Sequence, residues 1–411
     1  MYNKKLKTMK NQIIPILASG VFTLSLFSCE EPKTTPSNED KVQLEIPDNS
    51  RDAQSTENKK TKIKLAIILD TSNSMDGLID QAKNQLWKIV TELAKTKDKN
   101  GEDPDIDLAL YQYGNDNLSI RNGYVQLVQS FTGELDEISE KLFALKTNGG
   151  EEYCGKVIST SLSDLKWSDS SDDLQMIYIA GNEGFNQGGV FYKNACKIAK
   201  SKNVTVNTIF CGNRNEGINT FWKHGADLTN GNFACIDSDA KSVHYDSPYD
   251  DQISLLNVEL NKTYVPCNAV GISKKEKQIM QDLNAEKLGK ANASRRYLSK
   301  GSKVYRNSSW DLVDYSKGKN FDVNKLDKKH LPDSLKNLSN NDLQLKINKL
   351  SVNRKKIKQE MAKLNKKRED FVAKEKEKAT KTDDVQLENA IIKGLREQAS
   401  KKKISFEETI N

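Results

Sequence analysis

The sequence is poor in the residues that mark several protein classes. Its 411 residues include only 8 prolines and 22 glycines, which excludes collagen-like and proline-rich chains. Of the 3 histidines, none has metal-ligand spacing with another histidine or a cysteine pair. Motifs of the Cys-x-x-Cys, Gly-x-Ser-x-Gly and Gly-x4-Gly-Lys-Ser/Thr types are absent, so zinc, thioredoxin-like, serine-hydrolase and P-loop chemistries are not indicated.

Charge is distributed unevenly along the chain, although the formal net charge is only +7. Residues 63–262 hold 19 Lys/Arg and 29 Asp/Glu, a net charge of −10, whereas residues 263–411 hold 35 and 20, a net charge of +15. An acidic middle is therefore followed by a basic C-terminal segment. The lysines of that segment are spread along predicted helices rather than clustered with aromatic residues, so nucleic acid is not an expected partner.

The first 28 residues have the pattern of an export signal. Four lysines precede an uncharged apolar stretch that ends in Leu26-Phe27-Ser28-Cys29. A small residue before a cysteine, with leucine three positions earlier, resembles the lipobox of bacterial lipoproteins. The resemblance implies cleavage before Cys29 and acylation of that cysteine, which would anchor the protein to a membrane of the bacterial envelope. The alternative is an ordinary signal peptide or an uncleaved anchor that happens to contain a cysteine. Residues 29–61, dominated by charge and proline, are expected to be a disordered tether.

Strands and helices are predicted to alternate across residues 62–262. Apolar stretches predict buried parallel strands at 62–69, 106–113, 174–180, 204–210 and 232–236, with an edge strand at 124–131. Amphipathic helices are predicted between them, including one over residues 217–228 and a closing helix over 250–260. The pattern predicts a doubly wound, mostly parallel α/β sheet that binds ligands at the carboxyl ends of its strands.

A basic helical extension is predicted for residues 263–411. Apolar residues from Ile347 to Phe371 follow heptad spacing, with Arg354 and Arg368 at seam positions. This spacing is typical of a coiled coil or a helical hairpin. The extension is interpreted either as a solvated stalk or as a segment that docks on the acidic domain or on a polyanionic envelope surface.

A cluster of oxygen-bearing side chains follows the first predicted strand. Asp70, Ser72 and Ser74 stand in the sequence DTSNSM, where one carboxylate and two hydroxyls converge from a tight turn. Oxygen donors of this kind suit a hard divalent cation. Asp and Ser are also favoured as helix N-caps, so capping alone is the other interpretation.

This segment resembles the first loop of the metal-ion-dependent adhesion site of von Willebrand factor type A (vWA) domains, and the resemblance covers about residues 62–262. It implies a doubly wound vWA/Rossmann-like fold in which Asp70, Ser72 and Ser74 hold Mg²⁺ or Mn²⁺, with Ca²⁺ less favoured. It also implies a protein partner that offers a carboxylate to the cation.

The other two loops of the adhesion site match the family less closely. The second loop supplies a threonine or an acidic residue in the family, and here Glu152 is the first choice, with Glu151 and Thr147 as alternatives. The third loop usually carries an aspartate, but Gly181 stands in its place. Substitute third-loop ligands, acting through a water, would be Asn182 or Glu183.

Five cysteines remain besides Cys29. Cys154 opens a predicted helix and Cys211 ends a predicted strand at the same edge of the sheet, so a Cys154–Cys211 disulfide is a candidate. Reduced, buried cysteines are the alternative.

The function expected from the sequence is that of a lipid-anchored envelope protein, not an enzyme, that binds a protein through a metal-bridged carboxylate. A structural or assembly lipoprotein with a degenerate, metal-free site is the leading alternative. A third interpretation is an enzyme that uses the carboxylates of Glu151, Glu152 and Glu183.

Overall fold

The computed structural model describes residues 60–236, 245–378 and 383–407, apart from the side chains of residues 84–85 and 383–391. Cys29, the expected signal peptide and nearly all of the expected tether lie outside the described residues. None of the helices in the described part of the chain is both long and apolar enough to span a bilayer.

A six-stranded sheet forms the centre of residues 62–236. The strands of the protein are β1 (Lys62–Asp70), β2 (Thr96–Lys97), β3 (Asp105–Tyr113), β4 (Val125–Thr132), β5 (Leu174–Gly181), β6 (Thr205–Cys211), β7 (Phe233–Ile236) and β8 (Ser405–Phe406). In the large sheet they follow the order β4-β3-β1-β5-β6-β7, and only the edge strand β4 is antiparallel. The predicted doubly wound α/β sheet with an edge strand near residue 125 is therefore confirmed.

The central strands are apolar on both faces because helices cover both faces. Every residue of β5 is buried, and β1 is buried along most of its length. One face packs against three helices, which are α3 (Cys154–Asp164), α4 (Tyr192–Ser201) and α6 (Trp222–Asp227). On the opposite face lie α1 (Asp76–Leu93), α2 (Leu135–Ala144) and α7 (Asp250–Lys262).

The single helix predicted over residues 217–228 is wrong. The structure has two short helices there, α5 (Arg214–Asn219) and α6, with Phe221 between them. Phe221 has a φ of +72°, in the left-handed region, which a continuing α-helix does not tolerate. The apolar spacing was continuous enough to suggest one helix, but the backbone turns at this residue.

The C-terminal extension is helical, as predicted. Its helices are α8 (Gly271–Lys287), α9 (Lys290–Gly301), α10 (Leu312–Tyr315), α11 (Asp333–Lys336), α12 (Asn340–Lys378) and α13 (Asp383–Lys401). The heptad seam of α12 is buried at Ile347, Arg354, Ile357, Met361 and Arg368. Its partners are α7, α9 and α10, so α12 packs on the rest of the chain and does not project as a solvated stalk.

Buried ion pairs join the extension to the acidic domain. Asp282 of α8 accepts hydrogen bonds from Arg296 at 2.9 Å and from Lys300 at 2.6 Å, and Arg296 also pairs with Asp136 of α2 at 2.6 Å. On α12, Arg368 donates to Asp250 of α7 at 2.7 Å. Basic side chains of the extension therefore form ion pairs with acidic side chains of residues 63–262 in the same chain.

Helix α13 completes the face of the sheet that α1 covers. Gln398 exchanges hydrogen bonds with Asn207 of β6, and Arg396 donates to Glu92 of α1 at 2.8 Å. Strand β8 then pairs antiparallel with β2. Buried side chains of α13, such as Leu395, share one hydrophobic cluster with Leu65 of β1. One large hydrophobic cluster therefore crosses the charge boundary at residue 263, although a smaller cluster around Leu312 and Leu343 lies wholly within the extension.

The candidate Cys154–Cys211 disulfide is not formed. Both thiols are free and buried. Cys154 packs on the α3 and α4 face of the sheet, whereas Cys211 packs on the α1 face. Successive residues of a strand point to opposite faces of the sheet. Two cysteines at the same edge of the sheet can therefore lie on opposite faces, as Cys154 and Cys211 do.

Candidate metal centre

The candidate site lies at the carboxyl edge of the three central strands. Asp70 is the last residue of β1 and stands in register with Tyr113 at the end of β3. Gly181 ends β5, the neighbour of β1 on the other side. This is the edge at which open α/β sheets bind ligands, because the loops that follow adjacent parallel strands meet there.

The loop after β1 folds around the Asp70 carboxylate. One carboxylate oxygen, Oδ1, accepts a hydrogen bond from the backbone N–H of Ser72 at 2.7 Å. The hydroxyls of Ser72 and Ser74 lie 3.2 Å apart. No side chain of this loop caps the first helical turn, so capping does not account for the two serines.

Glu152 is the second-loop residue that reaches Asp70. Both side chains are buried and border Gly114, where an added Cβ atom would lie 2.7 Å from Oδ1 of Asp70 and 2.8 Å from Cγ of Glu152. Burial raises the pKa of Asp70 well above its usual range, and the neighbouring Glu152 raises it further. Burial also raises the pKa of Glu152, and the charge of Glu183 adds to that rise.

The remaining predicted residues divide between the site and its surroundings. Asn182 joins the site, since its Nδ2 donates to the Ser74 hydroxyl at 3.0 Å. Thr147 lies outside it, because its hydroxyl donates to the carboxylate of Asp76. Glu151 and Glu183 are exposed at the rim, and Glu183 accepts a hydrogen bond from Gln187 at 3.2 Å.

Three oxygen atoms in this cluster are buried without a hydrogen-bond donor among the described residues. They are Oδ2 of Asp70, Oε2 of Glu152 and Oδ1 of Asn182. A buried acceptor without a partner is costly, so three together indicate that something else satisfies them. All are hard oxygen donors, and Asp70 and Glu152 add negative charge, which fits Mg²⁺ or Mn²⁺.

Tyr113 explains the missing third-loop aspartate. A Cβ atom at Gly181 would collide with the Tyr113 hydroxyl, and it would lie 3.1 Å from both Oδ2 of Asp70 and the Trp222 ring. The hydroxyl itself donates to the carbonyl oxygen of Ala180 at 3.1 Å. The sequence shows that the third-loop aspartate is absent. It does not show which side chain fills the space, because Tyr113 belongs to a different strand.

Comparison with known proteins gives matches among solved structures alone. No protein-family model matches the chain, and no curated protein does. BatB, a conserved hypothetical protein from Bacteroides thetaiotaomicron, is 15% identical, with 43% of this chain and 90% of that chain covered and a TM-score of 0.33. The SpRpn10 VWA domain is 17% identical over 43% of this chain and 89% of that chain, with a TM-score of 0.32.

A third similar structure is a von Willebrand factor type A protein from Catenulispora acidiphila. It is 14% identical, covers 43% of this chain and 39% of that chain, and has a TM-score of 0.31. The doubly wound vWA/Rossmann-like α/β fold predicted from the sequence is confirmed by the strand order described above. Across the described residues, no three His, Cys, Asp or Glu side chains form a metal-binding group, so any cation here would also need hydroxyl or amide oxygens.

Proposed function

We propose that this protein is a lipid-anchored envelope protein, not an enzyme, that binds a protein partner through a divalent cation at the Asp70 loop. The cation is Mg²⁺ or Mn²⁺, and the partner supplies a carboxylate to it. Support comes from the three buried oxygens of Asp70, Glu152 and Asn182 that lack donors among the described residues. A cation satisfies several acceptors at once, which a single donor cannot do.

Each residue of the site has a distinct part in this proposal. Asp70 and Glu152 supply the negative charge, and Ser72 and Ser74 supply neutral oxygens. Asn182 contributes its Oδ1 from the third loop. When bound, the cation acts as a Lewis acid that accepts an oxygen of the partner's carboxylate. Glu152 would thus replace the charge that the family places on the third loop, where Tyr113 leaves no room for it.

The membrane anchor is proposed from the sequence of the N-terminus. Acylation of Cys29 in Leu26-Phe27-Ser28-Cys29 would hold the protein on an envelope membrane, and residues 29–61 would give it reach. Replacing Cys29 by alanine is expected to abolish labelling by a fatty-acid analogue. Unchanged labelling of Cys29→Ala would contradict lipidation without bearing on the metal site.

A metal-free structural lipoprotein is the second candidate, and one observation favours it. Asp70 and Glu152 are buried on either side of Gly114, and burial raises the pKa of each. A proton-sharing pair needs no cation to balance its second charge. In that case the site would stabilise the sheet edge and bind no divalent ion.

Partner capture with and without a divalent cation separates these candidates. The full chain is immobilised and exposed to envelope extract in Mg²⁺ or in chelator, and the bound proteins are compared. Capture that requires Mg²⁺ and is lost in Glu152→Gln supports the adhesion function. Glu151→Gln is the matched control, because it removes an exposed carboxylate one residue away. Capture that is indifferent to chelator supports the structural role.

A further inference from the structure

An exposed aromatic surface lies beside the candidate metal centre. Phe191 is 72% exposed and Phe221 is 41% exposed, although aromatic rings of this size are usually buried. Tyr192, the first residue of α4, is buried, and its ring centroid lies 6.0 Å from that of Phe221. Phe191 adjoins this buried tyrosine in the chain and Phe221 adjoins it in space, and these two exposed side chains are the aromatic surface.

This surface is attached to the third loop of the site. The indole N–H of Trp222, next to Phe221, donates to the carbonyl oxygen of Glu183 at 2.7 Å. The backbone N–H of Phe185 donates to the carbonyl oxygen of Thr220 at 2.9 Å. The loop that carries Asn182 is therefore held against the segment that carries Phe221.

The backbone of Phe221 is held in an uncommon conformation. Its φ of +72° is unfavourable for a residue with a Cβ atom, and few bulky residues adopt it. The ring is nevertheless 41% exposed, so burial of the side chain does not fully offset that cost. Residues kept in such conformations concentrate at binding and catalytic sites.

A row of lysines lies along α4, the helix that begins directly after Phe191. Lys193, Lys197 and Lys200 are all exposed, and α4 carries no acidic residue. Within the described part of the chain, none of these three ammonium groups has an ion-pair partner. At 1.5 Å of rise per residue, the row extends over about 10 Å of the helix.

The charges around the site restrict the direction from which an acidic partner can approach. Glu151, Glu183 and Asp116 are exposed at the rim of the metal centre and would repel further carboxylates. The lysine row on α4, which begins two residues after Phe191, is a surface of opposite sign. An acidic segment that places one carboxylate at the cation is therefore favoured to extend over α4.

We propose that Phe191, Phe221 and the lysine row of α4 bind an acidic protein segment that also carries apolar side chains. This inference rests on the proposed function, since one carboxylate of the segment would sit at the cation. The apolar side chains lie on the two phenylalanines, and the remaining carboxylates pair with Lys193, Lys197 and Lys200. Electrostatic complementarity of this kind sets the specificity and the rate of association.

Binding of short peptides to the detergent-solubilised full chain tests the proposal. The probes are three fluorescent twelve-residue peptides, made of Glu alone, of Glu with two Phe, and of Gln with two Phe. In Mg²⁺ and low salt, the Glu/Phe peptide is expected to bind at least tenfold more tightly than either of the others. Equal affinity for all three peptides, or no binding of the Glu/Phe peptide, would overturn the proposal.

Charge reversal locates the binding surface. Lys193→Glu/Lys197→Glu/Lys200→Glu should weaken binding of the Glu/Phe peptide at least tenfold, and Phe191→Ser should remove the advantage of the Glu/Phe peptide over the Glu peptide. The control reverses three exposed lysines of α12, Lys355, Lys356 and Lys363, and should leave binding within twofold. An equal loss in both triple variants would show non-specific attraction and refute the assignment to α4.

Two further arms of the experiment distinguish this inference from the proposed metal bridge and from membrane binding. Chelator should weaken peptide binding, and residual binding that still depends on the lysine row would contradict the metal bridge while keeping the α4 surface. Vesicles that contain anionic lipid are the second arm. If they bind through the lysine row and the Glu/Phe peptide does not, the surface recognises membrane and the proposal of an acidic protein segment is wrong.

Discussion

The hydroxyl of Tyr113 occupies the space into which any side chain at Gly181 would project. Tyr113 ends β3 and Gly181 ends β5, and these two strands flank β1, which ends at Asp70. A carboxylate at residue 181 is therefore excluded by packing. The second buried carboxylate beside Asp70 comes from Glu152 on a different loop.

Substitution of Gly181 should reveal this packing constraint. Gly181→Ala is expected to lower the free energy of unfolding by about 1–3 kcal/mol, because the added methyl overpacks the core against Tyr113. In a Tyr113→Phe background the same substitution should cost less, since the colliding hydroxyl is gone. Denaturant unfolding of the four proteins of this double-mutant cycle measures the coupling. Additive effects would show that Tyr113 is not what excludes a side chain at residue 181.

Residues 60–262 alone should not form a stable domain. Without the extension, Asp136 loses its ion pair with Arg296 and Glu92 loses its pair with Arg396. The sheet face covered by Leu395 would also be exposed. We expect this fragment to aggregate or to bind a dye for exposed apolar surface, while residues 60–411 unfold in one cooperative transition. A cooperative transition of the short fragment would show that the extension is dispensable for folding.

The buried ion pairs of α8 and α9 predict acid sensitivity. Burial alone would raise the pKa of Asp282, but Lys300 and Arg296 lower it to about 2. The folded state therefore holds this carboxylate ionised, and the resulting stability, about 2 kcal/mol, is present above pH 4 and is lost as the pH falls towards 2. Urea unfolding at a series of pH values should show that loss.

Asp282→Asn tests the source of the acid sensitivity. Its free energy of unfolding at pH 7 should fall by about 3 kcal/mol, because Lys300 remains buried without its carboxylate. The loss between pH 4 and 2 should shrink in this variant. Asp333→Asn is the control, since Asp333 pairs with Lys336 on the surface and should change stability little. A similar effect of both substitutions would contradict the account.

The state of the cysteines can be read by alkylation without reductant. Under denaturing conditions Cys154 and Cys211 should both react, since neither is in a disulfide. In the native protein both should be protected, because burial raises the pKa of each thiol well above its usual range. Peptide mass analysis detects both results. Protection of this pair after denaturation would reveal a disulfide that the structure does not contain.

The sequence allowed the sheet to be predicted because its pattern is local. An apolar run such as Lys62–Asp70, followed by an oxygen-rich turn, indicates a buried strand and the edge at which ligands bind. The same local pattern places Asp70, Ser72 and Ser74 on the loop after β1, and their role as cation ligands stays a prediction. The choice among Glu151, Glu152 and Thr147 needed the fold, because only the fold shows which of them faces Asp70.

The docking of the extension could not be predicted from periodicity. Helix α8 buries a polar side, with Gln278, Gln281 and Asp282, and exposes Ile279 and Leu283. The apolar side of α8 therefore faces away from the surface that the helix contacts. The buried side is stabilised by long-range hydrogen bonds, such as that from Ser139 of α2 to Gln281 at 2.9 Å. Such partners are far apart in sequence, so no local pattern reveals them.

Calorimetric titration of Mg²⁺ and Mn²⁺ into the full chain, with Glu152→Gln and Glu151→Gln in parallel, tests the central claim most directly. The wild-type protein and Glu151→Gln are expected to bind one divalent ion, because neither Asp70 nor the buried Glu152 is altered. Glu152→Gln should lose at least tenfold in affinity, since it removes one of the two buried charges. Absence of binding to the wild type, or equal binding to Glu152→Gln, would contradict a metal centre at Asp70 and leave the structural role.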